Sequence, residues 1–436
     1  MRNGLNGNIF KPPNVFEPEM TLRKISLFSL VVIALASSCW AQEPDWAVLT
    51  DPAHEYWTRP LNDPLTLMKD ELEAGSDELD YSSEKAFVVS LLKKLDVPVS
   101  SQLLVYSTTS LQLRLISPRN PRAVYFNEEI YVGWVLGGQL EFVSMDPDLG
   151  GIFYISDIIP RSGARKMQLD RADRCMNCHH DEDTRHVPGV VVKSVLPGQR
   201  GGTISTYRPG EVGHEIPFTE RFGGWHVTGE HDIQKHWGNV MGQLSGDDIS
   251  TTPLEFGANF DISRYPIPSS DILPHLIFEH QSGFVNRCAA ASYKARFFLH
   301  EGGGKFKPGD LEKVREEVDE LVRYILFADE AEFPEGGVTG DSVFREDFLA
   351  KKKEDRQGRS LREFDLETHM FKHRCSYMIY TSVFQGLHPG FKRLIYTELG
   401  KALDGSKPGF GHIPSNEKTA IREILRATLT DLPEGW

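Results

Sequence analysis

AVYFNEEIYVGWVLGGQLEFVSMDPDLGGIFYISD, residues 123–157, is the stretch that decides the fold class. Four short runs lie within it: Ala123–Phe126, Glu129–Leu136, Gln139–Met145 and Gly151–Asp157. Each is rich in β-branched and aromatic side chains, and each is too short for a helix of ordinary length. Gly137-Gly138 stands between two of the runs, a two-residue link that tolerates the positive φ of a tight hairpin. Asp146-Pro147-Asp148 marks a second turn. The stretch predicts an antiparallel sheet.

Upstream, Asp45 to Ser82 is rich in Asp, Glu and Pro and reads as an irregular lead-in. Ser82 to Leu95 predicts a helix, because Phe87, Leu91, Leu92 and Leu95 return on one face. Downstream, residues 159–270 hold many Gly, His and Pro with few periodic runs, and read as loops. From residue 271 onward the pattern is helical. Asp271 is placed to cap a helix running toward His300. Pro308 to Phe327 puts Leu311, Val314, Val318, Leu321, Val322 and Ile325 on one stripe. Gly302-Gly303-Gly304 reads as the connection between these two helices, and Ser415 as the cap of a last one carrying Ile421, Ile424 and Leu425. The expected class is α+β. Residues 42–158 form a helix plus an antiparallel sheet, 159–270 a loop-rich middle, and 271–436 a mainly helical part.

The 436 residues carry a formal charge of −14. That balance argues against a nucleic-acid partner, which needs a basic face. Arg23 and Lys24 precede the apolar run Ile25–Ala36, followed by small residues and Ala41. This is the order of a secretory signal peptide, with a start at Met20 and cleavage after Ala41. A lipoprotein signal ending at Cys39 is the weaker reading, because Ala36 stands where such signals have Leu. No second apolar run reaches membrane-spanning length, so no transmembrane segment is expected in the mature chain. The expected location is periplasmic or secreted.

Of the five cysteines, Cys175 and Cys178 fall in Cys175-Met176-Asn177-Cys178-His179, the C-x-x-C-H pattern of c-type haem attachment. Two thiols three positions apart can each form a thioether with one porphyrin, and the next residue then lies under the iron. One covalent haem c, with His179 as proximal iron ligand, is the expected cofactor. Export agrees with this, because bacteria attach such haem outside the cytoplasm. A zinc site using Cys175, Cys178 and His179 or His180 is a rival, but no second Cys or His pair at finger spacing accompanies it. A redox-active C-x-x-C belongs beside a βαβ pattern, which is absent. His180 reads as a surface or supporting residue. Cys288 and Cys375 either pair in the oxidising compartment or stay as two buried thiols.

The sixth iron ligand decides between functions. A closed iron transfers electrons, whereas an open one binds peroxide or another small molecule. His214, His226, His231 and His236 lie in a Gly-rich stretch with Trp225 and Trp237, and His280 lies on the predicted helix. His231, His236 and His280 are the leading candidates for distal ligand, and Met167 and Met241 the thioether options. The expected function is electron transfer with a redox partner protein or small molecule. A peroxidase-like enzyme or ligand sensor is the alternative, and a haem that only supports the fold of a binding protein is a third reading. Arg161, Arg165, Lys166, Arg171 and Arg174 precede the motif and could meet the haem propionates, or simply be solvated. There is no nucleophile elbow, H-E-x-x-H or Walker loop.

SPRNPRAVYFNEEIYVGWV (117–135), RCMNCHH (174–180), VPGVVVKSV (187–195), ERFGGWHVTGEH (220–231), KHWGN (235–239), LIFEHQ (276–281) and GRSLREFDLETHMFKHRCSYMIY (358–380) resemble a bacterial family. Its members are large, secreted, single C-x-x-C-H proteins known as cytochrome c domain-containing or haem-binding. The resemblance implies an exported protein with covalent haem at Cys175, Cys178 and His179 and an electron-transfer character. It also draws attention to His231, His236 and His280. Val285 stands where the family pattern leads one to expect a further His, a departure that weighs against a ligand from that helix.

Overall fold

A computed structural model describes residues 44–75, 79–158, 167–208, 210–246 and 248–436. The expected signal peptide, Cys39, Arg161, Arg165 and Lys166 lie outside the described residues. Pro44–Trp436 is one compact unit, so the three expected regions are parts of a single body.

Two short helices lead into the sheet: α1 (Pro64–Ala74) and α2 (Glu84–Lys94). The first corrects the expected irregular lead-in. Asp63 caps it through the amides of Leu65 and Thr66, and Pro64 presets the first helical φ. Only Leu65 and Leu72 of α1 are buried, which is why no apolar stripe announced it. Ser83 caps α2 through Ala86, and Phe87, Leu91 and Leu92 are buried as the pattern required.

The expected antiparallel sheet is present. Its strands are β1 (Leu103–Val105), β2 (Arg122–Phe126), β3 (Ile130–Trp134), β4 (Gln139–Asp146), β5 (Gly150–Asp157) and β6 (Asp170–Arg171), paired in sequence order. Gly137 turns between β3 and β4 at φ 78°, and Gly150 takes the same left-handed region after the Asp146-Pro147-Asp148 turn. Both faces are covered. Ala123, Tyr125, Val132, Trp134, Phe142 and Tyr154 face a core shared with α1 and α2. Val124, Phe126, Tyr131 and Met145 face a second, larger core built by the C-terminal helices. Two apolar faces explain why the strands read as near-continuous hydrophobic runs rather than as alternation.

The middle region is less irregular than expected. After the single-turn helix α3 (Met176–His179) come two hairpins, β7 (Ser194–Pro197) with β8 (Thr203–Arg208), and β9 (Val240–Ser245) with β10 (Asp248–Pro253). The β10 side chains are all exposed, so this hairpin has no apolar pattern to read.

Helices complete the body: α4 (Ile272–Glu301), α5 (Pro308–Ile325), α6 (Ser342–Ala350), α7 (Ser382–Gln385), α8 (Pro389–Asp404) and α9 (Ser415–Thr428). Asp271 caps α4 through the Leu273 amide at 2.9 Å and also accepts from Asp341 N at 2.8 Å, which ties α6 to the same carboxylate. Gly303 and Gly304 adopt positive φ between α4 and α5, as the triple glycine suggested. Ser415 is the first helical residue of α9 rather than its cap. Pro414 holds the cap position with no side-chain bond, because its fixed φ suits the entry and its carbonyl accepts from Lys418. Cys288 and Cys375 are separate free thiols, both buried. Among the described residues no helix is long and apolar enough to cross a membrane.

The larger core carries unusual polar groups. Glu279 of α4 is 2 % exposed and pairs with Arg208 (3.0 Å) and Arg221 (3.3 Å), themselves 2 % and 1 % exposed. His275 and His280 are buried nearby, and burial pushes the pKa of each down to about 3. An unfolded chain takes up protons at these histidines near pH 6.5, while the folded chain refuses them until far lower pH. Their stabilising effect is therefore whole above pH 6.5 and declines as pH falls toward 3, by about 1 kcal/mol per pH unit for each group. The urea midpoint is expected to drop steadily from pH 7 to pH 5. A midpoint that holds constant over that range contradicts neutral burial of these rings.

Candidate haem-attachment site

The motif is placed by the edge of the sheet. Ala172 N continues the ladder beyond β6 by donating to Phe153 O at 2.9 Å. One 3-10 turn, Asp173–Cys175, and then α3 follow. Residues three apart on helical turns share a side, so Cys175 and Cys178 present their thiols together. Cys175 is half-buried, Cys178 is exposed, and both are free. Burial pushes the Cys175 thiol up to about 11, Glu141 adds to this, and Arg122 opposes it. A thiol-disulfide reagent needs the opposite, a thiolate made accessible by a lowered pKa.

His179 is oriented through its Nδ1, which lies 2.8 Å from Gly189 O. A carbonyl only accepts, so Nδ1 carries the proton. Burial lowers the ring's pKa, which keeps it neutral and leaves Nε2 as a bare lone pair. Nε2 has no hydrogen-bond partner among the described residues. This is the tautomer and the supporting bond that histidine ligands of metals adopt. The Phe153 ring lies 4.6 Å from the His179 ring and fixes its tilt.

Gly189 is held in turn. Its amide donates to His179 O at 3.0 Å. Asn286 of α4 clamps the next residue, accepting from Val190 N at 2.8 Å and donating to Val190 O at 2.9 Å. A Cβ on Gly189 would collide with Asn286 Oδ1 and meet Thr184 Cβ at 3.0 Å. Gly189→Ala is therefore expected to destabilise the fold by about 1–3 kcal/mol, as overpacking does. A denaturation midpoint equal to that of the unaltered chain would show that this clamp yields freely.

Arg122, Glu141 and Asn286 were not singled out from sequence. Arg122 extends over Gly133, whose missing side chain leaves the room, and its Nε stands 3.3 Å from Glu141 Oε2. Glu141 pairs across the sheet with Ile155, and Val143 with Phe153, so this ion pair and the His179 ring share one face. The signal available was the charged pair itself, Arg and Glu at two positions of otherwise apolar strands.

No family model, curated protein or solved structure matches the chain.

The proposed distal ligands lie elsewhere. His280 has both ring nitrogens occupied, Nδ1 by His214 Nδ1 at 2.8 Å and Nε2 by Ser376 Oγ at 2.9 Å. His231 and His236 have ring centroids 5.3 Å apart, in the loop that begins at Trp225. Trp225 bridges to Val105 of β1, whereas Phe153 lies in β5, so three strands, and hence four inter-strand spacings, separate the two places. At about 4.8 Å per strand this is a separation on the order of 20 Å. His226 is buried against Tyr106, Phe256 and Phe260. Met167 is buried in the core on the other face of the sheet, and Met241 lies against Tyr106 and Leu254.

Of the basic residues before the motif, Arg171 turns away from it. It stands opposite Tyr154, donates to Tyr56 O at 2.9 Å, and lies over the Tyr56 and Trp57 rings. Arg174 is exposed beside Cys175. His180 Nε2 lies 3.1 Å from Ala47 O, a supporting contact that ties the N-terminal segment to the motif. Among the described residues no three His, Cys, Asp or Glu side chains converge at metal-ligand distance.

Proposed function

We propose that this chain is an exported c-type haem protein that transfers electrons through one haem, with thioethers at Cys175 and Cys178 and His179 as proximal ligand. The observation that carries the proposal is the His179 ring, protonated and anchored at Nδ1 and bare at Nε2, directly after two free thiols on one face of a turn. Haem bound there would supply the one-electron chemistry. The chain's own residues do the rest: Gly189 and Asn286 hold the imidazole in position, Phe153 sets its tilt, and the exposed Cys178 side gives an electron a short path to the surface. The family resemblance, the signal-like leader and a periplasmic or secreted location belong to the same reading.

A second reading, a peroxidase-like enzyme or ligand sensor with an open iron face, is favoured by one observation: His231, His236 and His280 make no contact with the motif. One experiment addresses both. The chain is produced with a c-type haem maturation system, and its intact mass and absorption spectrum are recorded. Added mass of one haem with low-spin iron in both redox states is expected. High-spin ferric iron that binds cyanide rapidly would transfer the preference to the second reading, and unaltered polypeptide mass would remove both.

A further inference from the structure

We infer that the turn Leu111–Leu115 is the wall that covers the haem face opposite His179, an inference that rests on the haem reading above. Leu111, Leu113 and Leu115 are 47 %, 56 % and 38 % exposed. Single exposed leucines are ordinary, but three within five residues form a patch that calls for an occupant.

The place of this turn names the occupant. Ser110 Oγ donates to Glu141 Oε1 at 2.7 Å, immediately before the first leucine. Gln112 exchanges two bonds with the main chain of Gln139, at 2.8 and 3.0 Å, and Gly138 leaves the space that Gln112 and Leu115 fill. The leucines are thus pinned at the start of β4, beside the Glu141 side chain. Glu141, Val143, Phe153 and Ile155 form one contiguous square on the same sheet face, and His179 stands on Phe153. An apolar disc fastened at Cys175 and Cys178 and lying against His179 Nε2 reaches this neighbourhood. Its charges are matched as well: a porphyrin of this kind bears two propionates, and Arg122, the exposed Arg114 and the exposed Arg174 are among the nearby cations. An apolar turn with one arginine, next to a second, suits that ligand better than water.

The test compares the matured full-length chain with its Cys175→Ser/Cys178→Ser form and with a Leu111→Ser/Leu113→Ser/Leu115→Ser form. Amides of residues 111–116 are expected to exchange hydrogen about tenfold more slowly in the matured chain than in the thiol-free one. The triple-serine form is expected to keep its covalent haem, since no leucine takes part in attachment, and to show a lower midpoint potential, because water reaching the ring favours the ferric charge. A haem-bearing chain with equally fast exchange at 111–116 and an unshifted potential in the serine form overturns this inference alone. A chain whose mass shows no haem overturns the functional reading together with it.

Discussion

Matured alongside the covalent attachment machinery, the chain carrying Cys175→Ser and Cys178→Ser is expected to emerge with no bound pigment and with the mass of its amino acids alone. The effect should be all or none for the double change, because non-covalent haem is then held by one imidazole and by packing. Each single change should retain one thioether and so keep pigment that resists extraction. The polypeptide itself is expected to stay folded: Cys178 is exposed, Cys175 is half-buried, and neither belongs to a hydrophobic core. Circular dichroism and intact mass on the same sample separate the two effects. Pigment that survives the double change and resists extraction would place the attachment elsewhere.

The second large effect lies in the core, at Glu279. Its carboxylate is the shared counter-charge of Arg208 and Arg221, and all three side chains are shut off from water. Replacing such a cluster by apolar groups can be neutral, but removing one partner strands the others. Glu279→Ala strands two guanidiniums and is expected to cost about 3–5 kcal/mol. Glu279→Gln keeps the shape and one acceptor but sets an NH2 against one guanidinium, so the part of the loss it shares with Ala reports the charge together with that lost acceptor. Urea unfolding of both variants gives the figure. If Glu279→Ala unfolds at the same urea concentration as the unaltered chain, the cluster contributes nothing to stability.

The fold was legible where local pattern suffices. The four runs in 123–157 became β2 to β5 within a residue or two, because β-branched residues and glycine turns act locally. Asp271 was legible as a cap, since its role needs only the next few amides. Helix α1 was not, because PLTLMKDELEA buries just Leu65 and Leu72 and presents mostly polar residues. The site was half legible. Cys175, Cys178 and His179 depend on spacing along the chain, and their arrangement on one turn follows from it. The partners of His179 do not, since Gly189 and Asn286 reach it from other segments. Distal ligation depends on distance through space, and neighbouring positions in sequence gave no measure of it. A Glu within the apolar run LIFEHQ was the available sign of the buried cluster.

Helix α4 touches several of these places. At 30 residues it is about 45 Å long, and nearly every side chain up to Ala295 is buried. Near its start His275 lies against the histidine loop, one turn on Glu279 anchors two arginines, and about two turns after that, at the helix's midpoint, Asn286 grips the strap behind His179. Such an element has no idle side on which length can change. One inserted residue would rotate everything after it by about 100°, swinging Asn286 off its strap while the arginines kept their hold on Glu279. Descendants of this gene should therefore vary α4 by substitution and never by length, with gaps gathering in the exposed end of the β9–β10 hairpin instead.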